Sequence, residues 1–222
     1  MENDLPKENK KKYIMYRFNN LTGEERGLDM GMISSSGKRN DPFVNLEVFV
    51  NIILKTCNSK NTEILLHISS PGGVAYKFEK LYTSVKRLSD RGFKITALID
   101  DICASGGYML ACACDKIVCS KYSQIGSVGV IAEVINYHEL SKKVGLDVKT
   151  FKTGKYKDAF PSGEPYTDED IDKMNGMMFD TLEVFSDIVK SARGFSVEQM
   201  EEILSAKVWY GTKAIEKNLL MK

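Results

Sequence analysis

Two apolar runs in the first half of the chain are separated by a stretch with apolar residues at helical spacing. "TEILLHIS", residues 62–69, is a short continuous apolar run typical of buried parallel strands, and "FKITALID" from Phe93 is another. Between them, apolar side chains recur at helical spacing from Val74 to Leu88, and Gly92 follows in the position of a helix C-cap. This order predicts a right-handed strand, helix, strand crossover in a parallel sheet.

The segments on both sides continue the alternation of strands and helices. The pattern predicts a first strand over residues 12–18, a loop rich in glycine and serine up to Asp41, and a helix over residues 42–57. Farther along, it predicts a buried helix and a strand, then a strand and a helix, then a further strand, in "YMLACACDKIVCS" (108–120), "GSVGVIAEVINYHELSKKVG" (126–145) and "DVKTFK" (147–152). Alternating elements of this sort indicate an α/β fold.

Helical patterns dominate the C-terminal part, and we assign residues 166–206 to a helical segment. Thr167 with Asp170 predicts a capping box at the start of a long helix that ends at Gly194, and a shorter helix starts in the same way at Ser196. The apolar face predicted for the long helix comprises Ile171, Met174, Met178, Leu182, Phe185, Val189 and Ala192.

The length of 222 residues is sufficient for one domain with a substantial core. We therefore predict a flexible basic tail over residues 1–11 and a single domain over residues 12–222. The apolar run that follows the tail is far shorter than the core of a signal peptide or a membrane span. The sequence shows no anchor or targeting segment.

Charge and cysteine content exclude several classes of partner. The 31 basic residues are balanced by 30 acidic ones, so the chain has no basic field for nucleic acid. The five cysteines form no CxxC pair and are mostly in apolar segments, where a reduced thiol behaves as a small hydrophobic group. This usage favours a reducing compartment and predicts no metal site.

Two glycine-rich turns, "SSPGG" (69–73) and "CASGG" (103–107), each follow a predicted strand and precede a predicted helix. Ligands of parallel sheets gather beyond the carboxyl ends of the strands, so the two turns are expected to face one crevice. There, the N–H groups of Gly73 and Gly106 could stabilise a carbonyl oxygen that becomes negative while Ser105 attacks as nucleophile. The alternative is that Ser105 caps a helix and the glycines only turn the chain.

A serine nucleophile needs a base, and the chain offers few. Of the two histidines, His67 lies inside an apolar strand and is expected in the core, while His138 is expected to face solvent; a triad through His138 is a minor alternative. A lysine base requires a pKa lowered by about three units, roughly 4 kcal/mol, through burial. Lys152, Lys155 and Lys157 follow a predicted strand, and composition alone does not choose among them.

Five blocks occur in order along the chain: "SSPGG", "ASGGYMLACACDKI", "GSVGV", "KTGKYKDAF" and "KVWYGTKAIEKNLL". In these blocks the sequence resembles the signal peptide peptidase A family from about Glu63 to Leu220. The family consists of serine proteases with a Ser/Lys dyad and the Clp-protease/crotonase fold. The resemblance implies repeated β-β-α and βαβ units with a C-terminal helical segment.

The resemblance also implies a role for each site residue. Ser105 would be the nucleophile, Lys157 its general base, and Ser127 the residue that orients the lysine amine. Gly73 and Gly106 would donate the oxyanion hydrogen bonds. The family resemblance, and not the physics of the loop, selects Lys157 over the other lysines. No cofactor or metal is implied.

The implied reaction is hydrolysis of peptide bonds in unfolded or signal-peptide-like substrates through an acyl-enzyme. Members of the family form ring or dome-shaped homo-oligomers, in which the dyad is assembled from adjacent protomers. Met174, Met177 and Met178 are candidates for subunit packing, although core packing is the simpler expectation for any one of them. Family members usually have an N-terminal membrane anchor, so this chain would be membrane-associated if it was trimmed from an anchored precursor.

Two other functions are compatible with the same sequence. A crotonase-like enzyme acting on acyl-CoA thioesters would use the same fold and paired N–H donors, with carboxylates for catalysis. A catalytically silent scaffold would only bind peptides, and an exposed, charged Lys157 would favour it.

Overall fold

A computed structural model describes residues 11–20, 41–154, 156–158 and 160–220. The chain divides into two compact units. The first unit combines the described residues up to Val128 with those from Ser186 onward, and the second unit is Gly129–Phe185. Residues 1–10 of the predicted basic tail and residues 21–40, most of the predicted loop before Asp41, lie outside the described residues. The assignment of residues 12–222 to one domain stays a prediction.

The described residues alternate between strands and helices along the chain. The strands are β1 (Lys12–Asn19), β2 (Thr62–Ser69), β3 (Lys94–Ile99), β4 (Ile102–Ala104), β5 (Lys116–Cys119), β6 (Gln124–Gly126) and β7 (Val208–Tyr210). The helices are α1 (Pro42–Thr56), α2 (Ala75–Asp90), α3 (Gly106–Ala111), α4 (His138–Lys143), α5 (Asp168–Arg193), α6 (Val197–Ile203) and α7 (Gly211–Glu216).

The strands form two sheets in the first unit. One is four-stranded in the order β1-β2-β3-β5, and all its pairs are parallel. The other is three-stranded in the order β4-β6-β7, with β6 and β7 antiparallel. Helix α2 connects the neighbouring parallel strands β2 and β3, which confirms the predicted crossover and the α/β class.

The core of the first unit lies between the large sheet and its helices. Burial alternates along β2, where Ile64, Leu66 and Ile68 are buried and the residues between them are half-buried. Phe18 and Phe78 are fully buried and meet edge to face with ring centroids 5.9 Å apart. Aromatic pairs in this geometry contribute beyond their buried area, so they fix α2 firmly against the sheet.

Two strands predicted for the second unit do not form. No described residue from 127 to 137 belongs to a helix or strand, and "DVKTFK" (147–152) is likewise irregular. In that segment Phe151 is 95% exposed, and the Thr150 N–H donates to the Glu164 carboxylate (2.8 Å) instead of to a neighbouring strand. Alternating apolar and polar residues predict a strand only where another strand supplies hydrogen-bond partners, and the pattern cannot show that.

Both predicted capping boxes are present at the starts of their helices. Thr167 donates its N–H and its hydroxyl to the Asp170 carboxylate (3.0 and 2.6 Å), and the Asp170 N–H donates back to the hydroxyl (3.2 Å). Ser196 and Gln199 make the same reciprocal pair before α6. Gly194, which follows α5, has a φ of 65°, as a C-cap glycine should.

The predicted apolar face of α5 is buried only near its C-terminal end. Phe185 and Val189 are buried, whereas Ile171 is 50% exposed. Other large apolar side chains of the second unit are also exposed, namely Ile131, Ile135, Leu140, Val144, Leu146, Phe151, Met177 and Phe179. Among the described helices, none combines the length and apolar character needed to cross a bilayer.

We predict that Thr167→Ala lowers the free energy of unfolding by about 1 kcal/mol at pH 7, because it removes the α5 cap. The hydrogen bonds from Thr167 lower the pKa of Asp170. Their stabilisation is therefore present above the unfolded carboxyl pKa, about 3.9, and is lost as pH falls through the lower folded value. Urea titrations at pH 7 and pH 2.5 measure both effects.

Thr181→Ala is the matched control, because Thr181 lies in the middle of the same helix and its hydroxyl bonds only the Met177 carbonyl (2.8 Å). Alanine has the higher helix propensity, so this variant should be neutral or slightly stabilising. Equal destabilisation by the two variants would contradict the capping account.

Candidate active site

The backbone at Ser105 has an unusual conformation. Ser105 lies between β4 and α3 with φ 51° and ψ −124°, a backbone conformation that residues other than glycine rarely adopt. Its N–H donates to the Gly126 carbonyl (2.8 Å), and its carbonyl accepts from the Met109 N–H (3.0 Å). The hydroxyl makes no capping hydrogen bond to α3, so helix capping does not explain this serine. A residue with a strained backbone that is fixed by hydrogen bonds of both its N–H and its carbonyl is typical of a functional site.

Gly72 packs directly against Ser105. A Cβ atom at Gly72 would lie 2.6 Å from the Ser105 Cβ and 3.0 Å from its Oγ, and the φ of 104° also requires glycine. The Gly72 N–H donates to the Ser70 hydroxyl (3.1 Å). Of the two glycines in "SSPGG", only Gly73 has a role predicted from the sequence. The close approach of Gly72 to another turn has no signal in the sequence beyond the glycine itself.

The two predicted oxyanion donors border the same aromatic ring. A Cβ atom at Gly106 would overlap the Phe78 side chain, and one at Gly73 would lie 3.4 Å from the Phe78 Cε2. Gly106 is the first residue of α3, so its N–H has no acceptor within the helix. The packing of both glycines on Phe78 brings their turns to one place.

Ser127 follows the glycine that anchors the Ser105 turn. Its φ is 54°, and its N–H donates to the Lys207 carbonyl (2.9 Å). The preceding Gly126 accepts the hydrogen bond from Ser105, and a Cβ there would come within 2.8 Å of the Trp209 ring. The sheet of β4, β6 and β7 thus holds Ser105 and Ser127 on neighbouring, paired strand ends.

The predicted base lies in the second unit. Lys157 is exposed, and its N–H closes a turn with the Gly154 carbonyl (3.0 Å). The ring of Tyr156 lies 5.6 Å from the ammonium of Lys173, which also pairs with Glu169 (3.3 Å). Of the other lysines considered, Lys152 is exposed and Lys155 lies outside the described residues. An exposed lysine lacks the desolvation that a lysine base requires.

The two histidines are held by polar partners. His67 belongs to β2, as predicted, and its Nε2 lies 2.7 Å from an Asp100 carboxylate oxygen. The expectation that His138 faces solvent is wrong: the side chain is 20% exposed, and its Nδ1 donates to the Gly163 carbonyl (2.9 Å). The sequence does not show that the later loop returns to this helix and covers the ring.

The cysteines Cys103, Cys112 and Cys114 are buried and unpaired. Burial raises the pKa of the Cys103 and Cys112 thiols, which keeps both groups protonated and unreactive. No group of three or more histidine, cysteine or acidic residues within the described ranges is arranged to hold a metal ion.

Comparison with known proteins gives consistent results. Residues 87–222, which include Ser105, Ser127 and Lys157, match the model of Peptidase family S49. The probable protease SohB of Haemophilus influenzae is 32% identical over 171 residues, which are 77% of this chain and 48% of that protein. A putative protease of Methanocaldococcus jannaschii is 33% identical over 157 residues, 71% of this chain and 50% of that protein.

A putative protease of Synechocystis is 32% identical over 168 residues, covering 75% of this chain and 60% of its own length. The chain spans about half the length of the curated relatives it matches first. The resemblance seen in the five sequence blocks is confirmed, and the parallel α/β architecture is the expected Clp-protease/crotonase type. On this combined evidence, the chain belongs to peptidase family S49.

Proposed function

We propose that this chain is a serine endopeptidase that uses Ser105 as its nucleophile. The observation that carries the proposal is the strained backbone of Ser105, which holds the residue at the entrance of α3 against Gly72. This conformation costs free energy and serves no capping role, whereas a nucleophile needs to be presented in one fixed orientation. The names of the family and of the matched relatives support the reaction class.

In the proposed reaction, the Ser105 oxygen attacks the peptide carbonyl carbon while neutral Lys157 accepts the hydroxyl proton. The carbonyl oxygen becomes negative and receives hydrogen bonds from the Gly73 and Gly106 N–H groups. The C–N bond then breaks, the protonated lysine returns the proton to the leaving amine, and an ester on Ser105 remains. Water hydrolyses this ester in the same way, and Ser127 orients the lysine amine throughout.

Lys157 is exposed in the single chain, so the proposed base needs another source of desolvation. A neutral lysine amine is favoured only in surroundings that exclude water. The second unit, which carries Lys157, exposes many large apolar side chains, including Ile131, Ile135 and Phe151. Exposed apolar side chains in such number are typical of interaction surfaces. We propose that a homo-oligomer covers them and completes the dyad, with the lysine supplied by the same or a neighbouring protomer.

The proposed substrates are unfolded or signal-peptide-like peptides. This part of the proposal rests on the resemblance to signal peptide peptidase A. The near neutrality of the chain gives no reason to expect nucleic acid. Three buried cysteines that form no disulfide suit a reducing compartment. Membrane association is proposed only for a chain derived from an anchored precursor.

Ser105→Ala and Lys157→Ala should each reduce peptide hydrolysis by a factor of at least about a thousand, because they remove the nucleophile and the base. The measurement is turnover of a fluorogenic peptide and of unfolded casein, with the sedimentation velocity of each variant recorded. Lys152→Ala is the matched control from the same loop and should retain full activity.

Three other outcomes would contradict the dyad or favour a different function. Full activity in Lys157→Ala would contradict the dyad. Peptide binding without turnover in the wild type would favour the silent scaffold, and turnover of an acyl-CoA thioester would favour the crotonase-like enzyme.

Gly72→Ala should abolish activity and also lower the unfolding temperature, because the added methyl group displaces the Ser105 side chain and the φ of 104° is strained for alanine. Gly176→Ala is the control: this glycine lies on α5 with open space around it, and alanine there should raise stability by up to about 1 kcal/mol. Thermal unfolding and peptide turnover are measured for both. Normal turnover in Gly72→Ala would contradict the packing that fixes Ser105.

Phe151→Asp should lower both the oligomeric state and the activity, because it places a charge on the apolar surface proposed to be covered. The side chain is 95% exposed in the single chain, so the substitution should not affect folding of the protomer. Val44→Asp, on the exposed face of α1, is the control. Sedimentation velocity and turnover across protein concentrations test this; an unchanged assembly would place the interface elsewhere.

A further inference from the structure

Arg193, the last residue of α5, forms a cluster of polar contacts with the helix that follows Ser105. Its Nε donates to the Tyr108 hydroxyl (2.9 Å) and to the Leu219 carbonyl (3.0 Å). One Nη donates to the Cys112 sulfur (3.7 Å), and the guanidinium carbon lies 5.4 Å from the centre of the Tyr108 ring. These acceptors, a hydroxyl, a carbonyl and a thiol, are all neutral, whereas partly buried arginines usually pair with carboxylates.

The contacts of Arg193 cover both turns of α3. Tyr108 and Cys112 are four residues apart, so they lie on the same face of the helix one turn apart. Tyr108 is fully buried, and its hydroxyl donates to the Leu219 carbonyl (2.7 Å). Burial raises the pKa of Tyr108 far above its usual value, so the hydroxyl keeps the proton that it donates. Together these contacts fix the rotation of α3 about its own axis.

The rotation of α3 matters because the helix is short and starts at the proposed site. α3 has six residues and would not be stable without external contacts. The Ser105 carbonyl accepts from Met109 one turn into the helix, so any rotation of α3 would move Ser105 and the Gly106 N–H together. The 3.0 Å distance between a Gly72 Cβ position and the Ser105 Oγ shows how little room such movement has.

We propose that Arg193 is a positioning residue for the nucleophile, acting through Tyr108 on α3 and tying the helix to the C-terminal segment at Leu219. This inference rests on the proposed role of Ser105 and adds a residue that no motif indicated. Arginine suits the task because its planar fork donates in fixed directions to several acceptors at once. Lysine at this position would carry the charge but not the geometry.

The test uses the full chain with Arg193→Met, Arg193→Lys and Tyr108→Phe. Each should lower kcat by about 10-fold to 100-fold, the range expected when a reacting group is slightly misplaced. KM should change less than about twofold, because none of these residues is proposed to touch the peptide. Arg87→Met is the matched control and should retain wild-type kcat, because Arg87 is an exposed arginine on α2 with a single hydrogen bond to Asn51 (3.4 Å).

A second readout separates positioning from general stabilisation. Arg193→Ala should regain a substantial part of its kcat in millimolar guanidinium chloride, while methylammonium chloride should give no rescue. A variant that was merely less stable would not gain activity from a denaturing ion. The rate at which a fluorophosphonate labels Ser105 should follow kcat in each variant and in the rescue.

The outcomes distinguish this inference from the function on which it rests. Wild-type turnover that does not depend on Ser105 would overturn both. Turnover that depends on Ser105, with normal kcat per folded molecule in Arg193→Met and Tyr108→Phe, would overturn the positioning role alone. If Arg193→Met does not fold, Tyr108→Phe and Arg193→Lys carry the test, since both remove directed hydrogen bonds and keep most of the packing.

Discussion

The hydrogen bond from the Ser105 N–H to the Gly126 carbonyl is the contact on which the proposed site depends. It continues the pairing of β4 with β6 into the turn, and so holds Ser105 in a backbone conformation that a free chain would leave. The neighbouring contacts act on the same residue from other directions. Gly72 closes one side, and α3 begins on the other. Three separate parts of the chain thus determine one pair of dihedral angles.

The sequence was sufficient to predict the elements around this site, because a buried strand, a glycine turn and a helix each have a local signature. The role of Ser105 as nucleophile stays a prediction. β2, α2 and β3 form within two residues of the expected positions. The sequence could not show that Gly72, and not Gly73, presses against Ser105. It also gave no signal for Arg193, since a contact between α5 and α3 joins residues 81 and 85 positions apart.

The errors of prediction fall in the second unit, and they have a common physical origin. "DVKTFK" contains β-branched and aromatic residues, as true strands do, but a strand exists only when another backbone pairs with it. Here Phe151 is exposed and Val148 is only half-buried. The residues that suggested a strand here are therefore compatible with a surface that is buried only against another molecule. The sequence shows that an apolar residue prefers burial, but it does not show which part of the chain or which other molecule buries it.

The same dependence on surroundings applies to the proposed lysine base. A lysine in water is protonated and cannot accept a proton from serine, so its activity depends entirely on what surrounds it. In the single chain Lys157 is exposed, and the unit around it has an unsatisfied apolar surface. If covering that surface is what removes water from the amine, catalysis and assembly have the same driving force. In the proposed mechanism, the strained serine is then already formed in each protomer, and only the lysine base depends on assembly.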